Sequence, residues 1–425
     1  MWYNLPVIPP QKGTIMRNYP ILTLTEKGAD FLRGGHVWVF ADEVTHITGT
    51  PEDGALADVC SPKGKYLGTG FYNSNSKIRV RIISKNANDR FDAAFWERKL
   101  RWAIDYRRTV MGERDFACCR LIFGEADAFP GLTVDRFGDV LVTEVLSLGM
   151  EKIKNEIYSI LVRLLREEFG QTVTVLYERN EAPIRKLEGM ETAKGFWSGE
   201  GLRTDTDGLT TITENGILYT VDYIEGQKTG FFLDQKYNRL AMQRICKGKK
   251  VLDCFTHMGT FALNAGIAGA VDVTGLDISE YAVSQAEANA RLNHLENTVH
   301  FRQANVLDEL PKLAQAGEKY DVVILDPPAF TKSREATKNA IKGYREINMK
   351  GLKLVKDGGY LATCSCSHFM TQELLAKTVK EAAKATHKRL RQVEFRTQAP
   401  DHPILWAADE SYYLKFFIFQ VVDEK

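Results

Sequence analysis

Tyr320-Asp-Val-Val-Ile-Leu-Asp-Pro-Pro-Ala-Phe330 and Gly359-Tyr-Leu-Ala-Thr-Cys-Ser-Cys-Ser367 decide the fold of this chain. Each stretch begins with an apolar run that is typical of a buried strand and ends in residues that terminate a strand. Strand and helix patterns alternate from Ile217 onwards, which favours an α/β fold with a doubly wound, Rossmann-like sheet. We expect the strands of this sheet at residues 250–254, 272–277, 299–303, 320–325 and 359–363.

The composition is that of an ordinary globular protein. The chain has 425 residues, 44% hydrophobic and 26% charged, and its length predicts two or three domains. A formal net charge of +1 neither supports nor excludes a nucleic-acid partner. No apolar run reaches the roughly 20 residues that span a bilayer, so no membrane segment is expected. The odd count of 7 cysteines, without a Cys-x-x-Cys pair, predicts a cytoplasmic protein with no metal site.

The patterns divide the chain into a tail and three domains. Residues 1–18 are rich in proline and predict an extended tail, in which Met1 and Met16 both remain candidate starts. Residues 19–90 alternate short strand patterns with turns, which predicts a small β-barrel. Residues 91–203 contain helix patterns at 92–108 and 152–169 beside strands, which predicts a central α+β domain. Residues 204–425 form the predicted α/β domain.

A basic strand stands out in the first domain. Lys77, Arg79 and Arg81 alternate with three aliphatic residues, so strand geometry places the three cations on one face. We expect these cations to contact RNA phosphates. The alternative is a solvated strand face without a ligand.

The loop after residues 250–254 predicts a cofactor site. It runs from Asp253 through Phe255 to Gly259, and its single glycine does not make a dinucleotide-binding fingerprint. Asp253 suits an ammonium group or a bound water. Asp277, at the end of the next strand, is placed to accept hydrogen bonds from ribose hydroxyls. Asn305, after the third strand, is the candidate for adenine recognition.

These positions together predict a site for S-adenosylmethionine, with Asp326 and Pro327 near the reactive methyl group. The alternative is a generic α/β crevice in which the same acids cap helices.

The sequence around residue 366 predicts covalent catalysis. Cytosine C5 becomes a good nucleophile only after a thiolate has added to C6, and Cys366 is the candidate for that thiolate. Asp326 is the candidate for stabilising charge at N3 or O2 of the ring. Alternation places Cys364 on the same side as Cys366, but Cys366 lies further past the strand end. We therefore expect Cys364 to be a buried structural thiol.

Six motifs mark this chain, and several of them are long enough to be specific when they occur together. They are His36–Phe40, Gly124–Arg136, Gln227–Gln235, Asp326–Phe330, Ser365–Ser367 and Gln398–Pro403. With these motifs, the chain from about Tyr19 to the C-terminus resembles the bacterial large-subunit ribosomal RNA cytosine-C5 methyltransferases that carry a PUA domain.

The resemblance implies a PUA domain, a central α+β domain and a class I methyltransferase domain that acts on large-subunit ribosomal RNA. It also implies that the Gln227–Gln235 segment closes over the methionine part of the cofactor. In this segment Lys228 is a candidate partner for a carboxylate, and Phe231 and Phe232 are candidates for packing on the cofactor. Arg239 is a second candidate carboxylate partner. Ordinary core packing is the alternative for the two phenylalanines.

Three residues depart from the family pattern. Asn305 replaces the usual acid at the end of the third strand, which alters the expected adenine contact. His368 stands where a small residue is common and narrows the expected base pocket. Ala329 replaces a frequent lysine and removes a cation near the RNA.

Two other functions remain open at this stage. Direct methyl transfer to a guanine or adenine nitrogen needs no thiol and also fits an Asp-Pro-Pro loop. A non-catalytic RNA-binding assembly protein would retain only the cofactor pocket. The sequence names neither the modified nucleotide nor the form of the RNA substrate, and it leaves a homodimer open. His368 and Lys332 are candidates, by sequence proximity alone, for activating Cys366.

Overall fold

The computed structural model describes residues 17–330 and 336–424. Its contacts divide the chain into two compact units, each assembled from three segments of the sequence. The first unit contains residues 17–210, 222–231 and 403–408; the second contains residues 211–221, 232–402 and 409–424. The sequence placed domain boundaries after residues 18, 90 and 203, and these boundaries stay a prediction. The contacts group residues 204–210, 222–231 and 403–408, which the sequence assigned to the α/β domain, with the first unit.

The first unit begins with a six-stranded sheet. It consists of β1 (Ile21–Leu24), α1 (Glu26–Arg33), β2 (Trp38–Phe40), β3 (Val44–Thr48), β4 (Leu56–Cys60), β5 (Tyr66–Tyr72) and β6 (Ile78–Ser84). The strand order is β2-β6-β5-β4-β1-β3, and β1 pairs with β4 in parallel. A core of aliphatic side chains, including Leu22, Val59 and Val80, is fully buried. The sequence did not predict α1, which is only 8 residues long and is capped by the Thr25 side chain.

A second sheet completes the first unit. Its elements are α2 (Ala93–Phe116), β7 (Cys118–Phe123), β8 (Leu132–Phe137), β9 (Val140–Val145), α3 (Leu148–Arg163), β10 (Val175–Asn180) and β11 (Ala193–Phe196). The strand order is β11-β10-β9-β8-β7. Asp92 caps α2 by accepting a hydrogen bond from the Phe95 amide at 3.1 Å. The α+β prediction for this region is confirmed.

The Gly124–Arg136 motif has a structural role within this second sheet. Arg107 is fully buried and binds both carboxylate oxygens of Asp127, at 2.6 and 2.8 Å. Arg136 donates to the backbone oxygens of Gly138 and Phe116. These contacts satisfy buried charges inside the unit, and they explain the motif without a chemical function.

The second unit contains the α/β sheet. Its elements follow the hairpin of β12 (Leu209–Glu214) and β13 (Ile217–Asp222), of which residues 211–221 are grouped with this unit. They are α4 (Lys236–Cys246), β14 (Lys250–Cys254), α5 (Thr260–Ile267), β15 (Asp272–Asp277), α6 (Glu280–Leu292), β16 (Val299–Gln303), α7 (Val306–Gln315), β17 (Tyr320–Leu325), α8 (Thr337–Leu354), β18 (Val355–Ser365), α9 (Gln372–Ala385), β19 (Lys388–Arg396) and β20 (Lys415–Asp423).

The order of the seven strands is β16-β15-β14-β17-β18-β20-β19. The first five are parallel to one another, whereas β20 runs antiparallel to both β18 and β19. The strands β15 and β16 are added on one side of β14, and β17 and β18 are added on its other side. The switch point therefore lies between β14 and β17, where ligands of such folds bind. All five predicted strands are confirmed, four of them with the predicted bounds. In the described ranges, no helix combines the length and the apolar character that crossing a membrane requires.

Candidate active site

The carboxyl ends of the parallel strands bring most of the predicted site residues to one edge of the sheet. Asp253 pairs in register with Gly275 on one side and with Ile324 on the other. The same edge therefore collects the residues that follow β14, β15, β17 and β18. We call residues 253–262 and 277–279 the cofactor edge, and residues 326–330 and 364–367 the thiol edge.

Asp253 organises the cofactor edge from inside the protein. It is completely buried, and its Oδ2 accepts hydrogen bonds from the Thr256 hydroxyl at 2.6 Å and the Ala262 amide at 3.0 Å. Its Oδ1 is also buried and has no hydrogen-bond partner among the described residues. Burial, with the nearby charges of Asp326 and Asp277, raises the pKa of Asp253 to about 7. A donor group of a ligand or a water would satisfy the unpaired oxygen.

The loop that Asp253 holds is tight. Phe255, His257 and Gly259 all have positive φ angles, of 65°, 51° and 84°. A Cβ atom on Gly259 would lie 2.7 Å from the ring of Phe301 and 3.1 Å from the side chain of Ala286. Glycine is therefore required at residue 259 both by the backbone conformation and by the lack of space.

Asp277 lies at the end of β15, as the sequence predicted. Its two oxygens accept hydrogen bonds from the amides of His257 and Ser279, each at 2.9 Å. Each oxygen of a carboxylate has a second lone pair, so ribose hydroxyls still have acceptors here. Asp277 therefore joins the loop after β14 to the loop after β15.

Asn305 has a local partner for each end of its side chain. Its oxygen caps α7 by accepting from the Leu307 amide at 3.1 Å, and its Nδ2 donates to Asp308 at 2.9 Å. This arrangement corresponds to the helix-capping alternative, and adenine recognition by Asn305 stays a prediction.

Asp326 is the centre of the thiol edge. Its Oδ1 accepts a hydrogen bond from the Cys364 thiol at 2.8 Å, and its Oδ2 accepts one from Gln235 Nε2 at 3.2 Å. Burial raises the pKa of Asp326 to about 6, and the charge of Asp234 adds to the rise. Pro327, the next residue, is buried. Asp326 is therefore a carboxyl group that changes its protonation state close to neutral pH.

The two cysteines of the thiol edge differ in environment. Cys364 is fully buried and donates to Asp326, as expected of a structural thiol. Cys366 is partly exposed. Burial of its sulfur, followed by the charges of Asp326 and Asp234, raises the pKa of Cys366 to about 12. The amide N–H groups of Cys366 and Ala329 donate towards the sulfur and oppose this rise. Formation of the Cys366 thiolate therefore requires an additional group that stabilises its negative charge.

The Gln227–Gln235 segment divides between the two units. Lys228 and Phe231 belong to the first unit, where Lys228 is exposed and the Phe231 side chain is buried. Phe232 belongs to the second unit, where its ring packs edge-on against His257 of the cofactor edge, with 5.2 Å between centroids. Cofactor contacts by Lys228, Phe231 and Phe232 stay predictions.

Arg239 does not have the environment of a ligand-binding residue. It is 1% exposed and donates two hydrogen bonds to the Glu214 carboxylate, at 2.6 and 2.8 Å. A third goes to the backbone oxygen of Phe232. The prediction that Arg239 binds a cofactor carboxylate is therefore wrong, because a protein carboxylate already occupies its guanidinium group.

Arg79 and Arg81 lie in strand β6 and Lys77 directly precedes it, and the three cations differ in their environment. Lys77 is exposed, and Arg79 donates to the backbone oxygen of Asn73 at 3.0 Å. Arg81 forms ion pairs with Glu125 and Glu188, both at 2.9 Å, and its side chain is only 12% exposed. The structure therefore gives Arg81 a structural role, whereas phosphate binding by Lys77 and Arg79 stays a prediction.

The sequence prediction missed several partners of the site. Gln235 was quoted only as the end of a motif, yet it contacts Asp326. Asp234 accepts a hydrogen bond from the Tyr413 hydroxyl at 2.7 Å, and its Oδ1 is buried without a partner in the described part of the chain. Lys415 contacts the backbone next to Cys366. The sequence shows only that Asp234, Gln235 and Lys415 are polar or charged. It does not show which residues they contact. Lys332 lies outside the described residues.

Residues 178–419 match the family of S-adenosylmethionine-dependent methyltransferases, and residues 22–85 match the PUA-like domain. The chain thus belongs to the S-adenosylmethionine-dependent methyltransferases, and S-adenosylmethionine is its cofactor. The site fits this cofactor, because Asp253 offers a buried unpaired acceptor and the loop at Gly259 has no room for a side chain.

The chain is also similar to named relatives over nearly its whole length. It is 36% identical over 405 residues to "Ribosomal RNA large subunit methyltransferase I" of Klebsiella pneumoniae (strain 342), covering 95% of this chain and 99% of that protein. It is 37% identical over 388 residues to the protein of the same name from Shewanella denitrificans, covering 91% and 95%.

Two solved structures share the fold. A putative S-adenosylmethionine-dependent methyltransferase from Streptococcus mutans superposes with a TM-score of 0.79 at 21% identity, covering 94% of this chain and 99% of that chain. A putative methyltransferase solved in complex with SAH gives a TM-score of 0.78 at 20% identity, with the same coverage. The predicted combination of a PUA-like and a methyltransferase domain is confirmed by the two family matches.

Proposed function

We propose that this protein methylates C5 of a cytosine in large-subunit ribosomal RNA through a covalent bond between Cys366 and C6 of the base. The names of the relatives support ribosomal RNA as the substrate. The position of Cys366 carries the choice of cytosine C5. Its partly exposed sulfur follows β18, receives the Ala329 amide and lies within the electrostatic reach of Asp326.

The proposed reaction begins with loss of the Cys366 proton. The thiolate forms a bond to C6, which places electron density on C5 and on the N3 side of the ring. S-adenosylmethionine supplies an electrophilic methyl carbon. Once C5 carries the methyl group, a base removes the C5 proton and the bond between sulfur and C6 breaks. Cys366 leaves as a thiolate and regains a proton from solvent, N3 returns its proton to Asp326, and S-adenosylhomocysteine is released, so the enzyme is unchanged.

Asp326 is suited to stabilise the ring during this sequence. A carboxyl group with a pKa of about 6 is partly protonated near neutral pH, and its proton can be donated to cytosine N3. Gln235 and Cys364 hold the two oxygens, so the group is oriented before the base arrives. Asp326 and Cys366 are therefore the proposed catalytic pair.

At the cofactor edge we assign roles by chemistry. Asp253 has the unpaired oxygen for an ammonium group or a bound water, and Asp277 has the remaining lone pairs for ribose. Phe232 packs on His257 next to this loop and offers an apolar surface.

Substitution of Cys366 tests the proposal. We expect Cys366→Ala to lose methylation of ribosomal RNA and to keep its affinity for S-adenosylmethionine. The control is Cys60→Ala, since Cys60 is also partly exposed but lies in the PUA-like sheet. RNA containing 5-fluorocytosine should give a covalent complex with the wild type, because fluorine cannot leave C5 as a proton. The Cys366→Ala variant should give none.

Direct transfer to a purine nitrogen is the competing outcome. It would be supported if Cys366→Ala methylated RNA at the wild-type rate. Bisulfite sequencing of ribosomal RNA from a deletion strain and its complemented parent identifies the base: one cytosine should lose its methyl mark in the deletion strain. An unchanged cytosine pattern would contradict the proposal.

Lys77 and Arg79 are proposed to hold RNA phosphates. Each phosphate contact contributes about one unit to the slope of log affinity against log salt. Lys77→Ala should weaken RNA binding and flatten that slope in fluorescence anisotropy. Exposed Lys63, in the turn between β4 and β5 of the same domain, provides the control. Equal loss with Lys63→Ala would show that the strand has no special role.

A further inference from the structure

Lys415 is a buried cation next to the proposed nucleophile. It is the first residue of β20 and pairs in register with Ser365, the last residue of β18. Its side chain is 1% exposed. A lysine in such a position costs several kcal/mol unless its charge is compensated, so the site must provide a compensating group.

The ammonium group donates all of its protons to backbone oxygens. These belong to Ser367 at 3.0 Å and to Tyr412 and Tyr413, both at 3.3 Å. The Tyr412 ring also lies 4.8 Å from the Nζ atom. Among the described residues no carboxylate lies within 4 Å of Lys415. The contacts therefore orient the ammonium group but do not neutralise it.

The ionisable groups around Lys415 show where an anion would fit. Cys366 and the exposed Glu373 are the groups whose negative charges act on it. Burial is the larger effect and lowers the pKa of Lys415 to about 8. Cys366 itself also faces Asp326 and Asp234, which both oppose formation of a thiolate. Lys415 is thus a cation next to a thiol that carboxylates otherwise keep protonated.

We propose that Lys415 is the positioning residue for Cys366: its ammonium group holds the turn at Ser367 and stabilises the thiolate that attacks the base. This inference rests on the proposed function and extends it to the activation step. The thiol proton leaves to solvent water, because the sulfur is partly exposed. Lys415 keeps its three protons throughout, and the negative charge on sulfur is consumed when the bond to C6 forms.

The two activating groups suggested by the sequence have weaker support. His368 Nδ1 lies 3.1 Å from the backbone oxygen of Asp409, which occupies that nitrogen. Lys332 lies outside the described residues. Lys415 is 49 positions from Cys366 in sequence, so strand pairing alone brings it to the turn.

Alkylation of Cys366 by iodoacetamide, followed by mass spectrometry of its peptide, tests this without RNA or methyl transfer. The reaction is measured between pH 6 and pH 10.5 in the wild type, Lys415→Arg and Lys415→Gln. Glutamine keeps a donor for the Ser367 carbonyl but removes the charge, and arginine keeps both. At pH 7, where Lys415 is charged, we expect Lys415→Gln to slow alkylation of Cys366 by about tenfold or more, and Lys415→Arg to restore the wild-type rate.

Equal alkylation rates at pH 7 in the wild type and Lys415→Gln would overturn the proposal. The wild type alone is a second test, in case the variants do not fold. Because Lys415 itself loses its proton above about pH 8, the wild-type alkylation rate should level off above that pH. A rate that keeps rising about tenfold per pH unit up to about pH 10 would mean that Lys415 does not stabilise the thiolate. Neither result depends on the Cys366→Ala methylation assay, so failure of this inference can be distinguished from failure of the proposed function.

Discussion

The cofactor edge and the thiol edge lie at the ends of neighbouring strands, yet they hold their carboxylates in different ways. Asp253 and Asp277 accept three hydrogen bonds from backbone amides, those of Ala262, His257 and Ser279, and only Asp253 has a further side-chain donor, the Thr256 hydroxyl. Asp326 instead accepts from side chains, the thiol of Cys364 and the amide of Gln235. Backbone donors fix the shape of a loop, whereas side-chain donors can be changed individually. Substitutions at the cofactor edge should therefore change the affinity for S-adenosylmethionine and the stability of the fold. Substitutions at the thiol edge should change the rate of methyl transfer.

The largest effect is expected from Asp326→Asn at the thiol edge. The amide cannot exchange a proton with the base, so kcat should fall by about 10²–10⁴-fold. The affinity for S-adenosylmethionine should change by less than about threefold, because the cofactor edge keeps its backbone donors. Methylation kinetics and calorimetry measure the two quantities. Asp321→Asn, at the partly buried start of the same strand, is the control. If Asp326→Asn lowered the affinity for S-adenosylmethionine by the same factor as kcat, the proposed distinction between the two edges would be contradicted.

At the cofactor edge we expect Asp253→Asn to weaken binding of S-adenosylmethionine by about 10–100-fold, because a charged hydrogen-bond acceptor is lost. Calorimetry measures this change. Asp272→Asn provides the comparison, since Asp272 is at the start of β15 and is partly exposed. Unchanged affinity in Asp253→Asn would show that the unpaired oxygen does not face the cofactor.

The pH dependence of stability should distinguish the edges further. The unfolded chain releases the Asp253 proton near 3.8 and the folded protein near 7, so folding stability falls as pH rises between these values. Relative to Asp253→Asn, the wild type should gain about 2 kcal/mol on acidification from pH 7 to pH 5. Urea unfolding at several pH values measures this gain. If the free energy of unfolding depended on pH in the same way in both proteins, the raised pKa of Asp253 would be contradicted.

The smallest effect is expected at Asn305. Loss of its cap should destabilise the protein by about 1 kcal/mol in Asn305→Ala, and Asn305→Asp should restore most of it. Denaturant unfolding measures the change, and calorimetry measures the cofactor affinity. A tenfold loss of affinity without loss of stability would support adenine recognition over capping.

Local sequence patterns predicted the elements of the α/β sheet well. The apolar runs gave four of its parallel strands with the observed bounds, and Asp253, Asp277 and Asp326 were placed at or just beyond strand ends. The fifth strand, β18, begins at Val355, earlier than predicted, because polar residues interrupt its apolar pattern. The short helix α1 was missed for a similar reason, since 8 residues carry little periodicity.

Partner choice was predicted poorly wherever it crossed the fold. Arg81 was expected on an open cationic face, but Glu125 and Glu188 neutralise it from 44 and 107 positions away. Arg239 was expected to bind a ligand, and Glu214 binds it instead. A sequence reveals that a charge is present, but not which opposite charge the fold brings next to it.

The sequence by itself determined the strands, the turn at Gly259 and the types of residue that follow each strand, because apolar periodicity and backbone conformation are local properties. Only the tertiary structure decided that Gln235 reaches Asp326 and that Lys415 reaches the turn after Cys366, across 91 and 48 positions. Those contacts depend on strand order and register. They arise only when the whole sheet buries its core and places distant segments side by side.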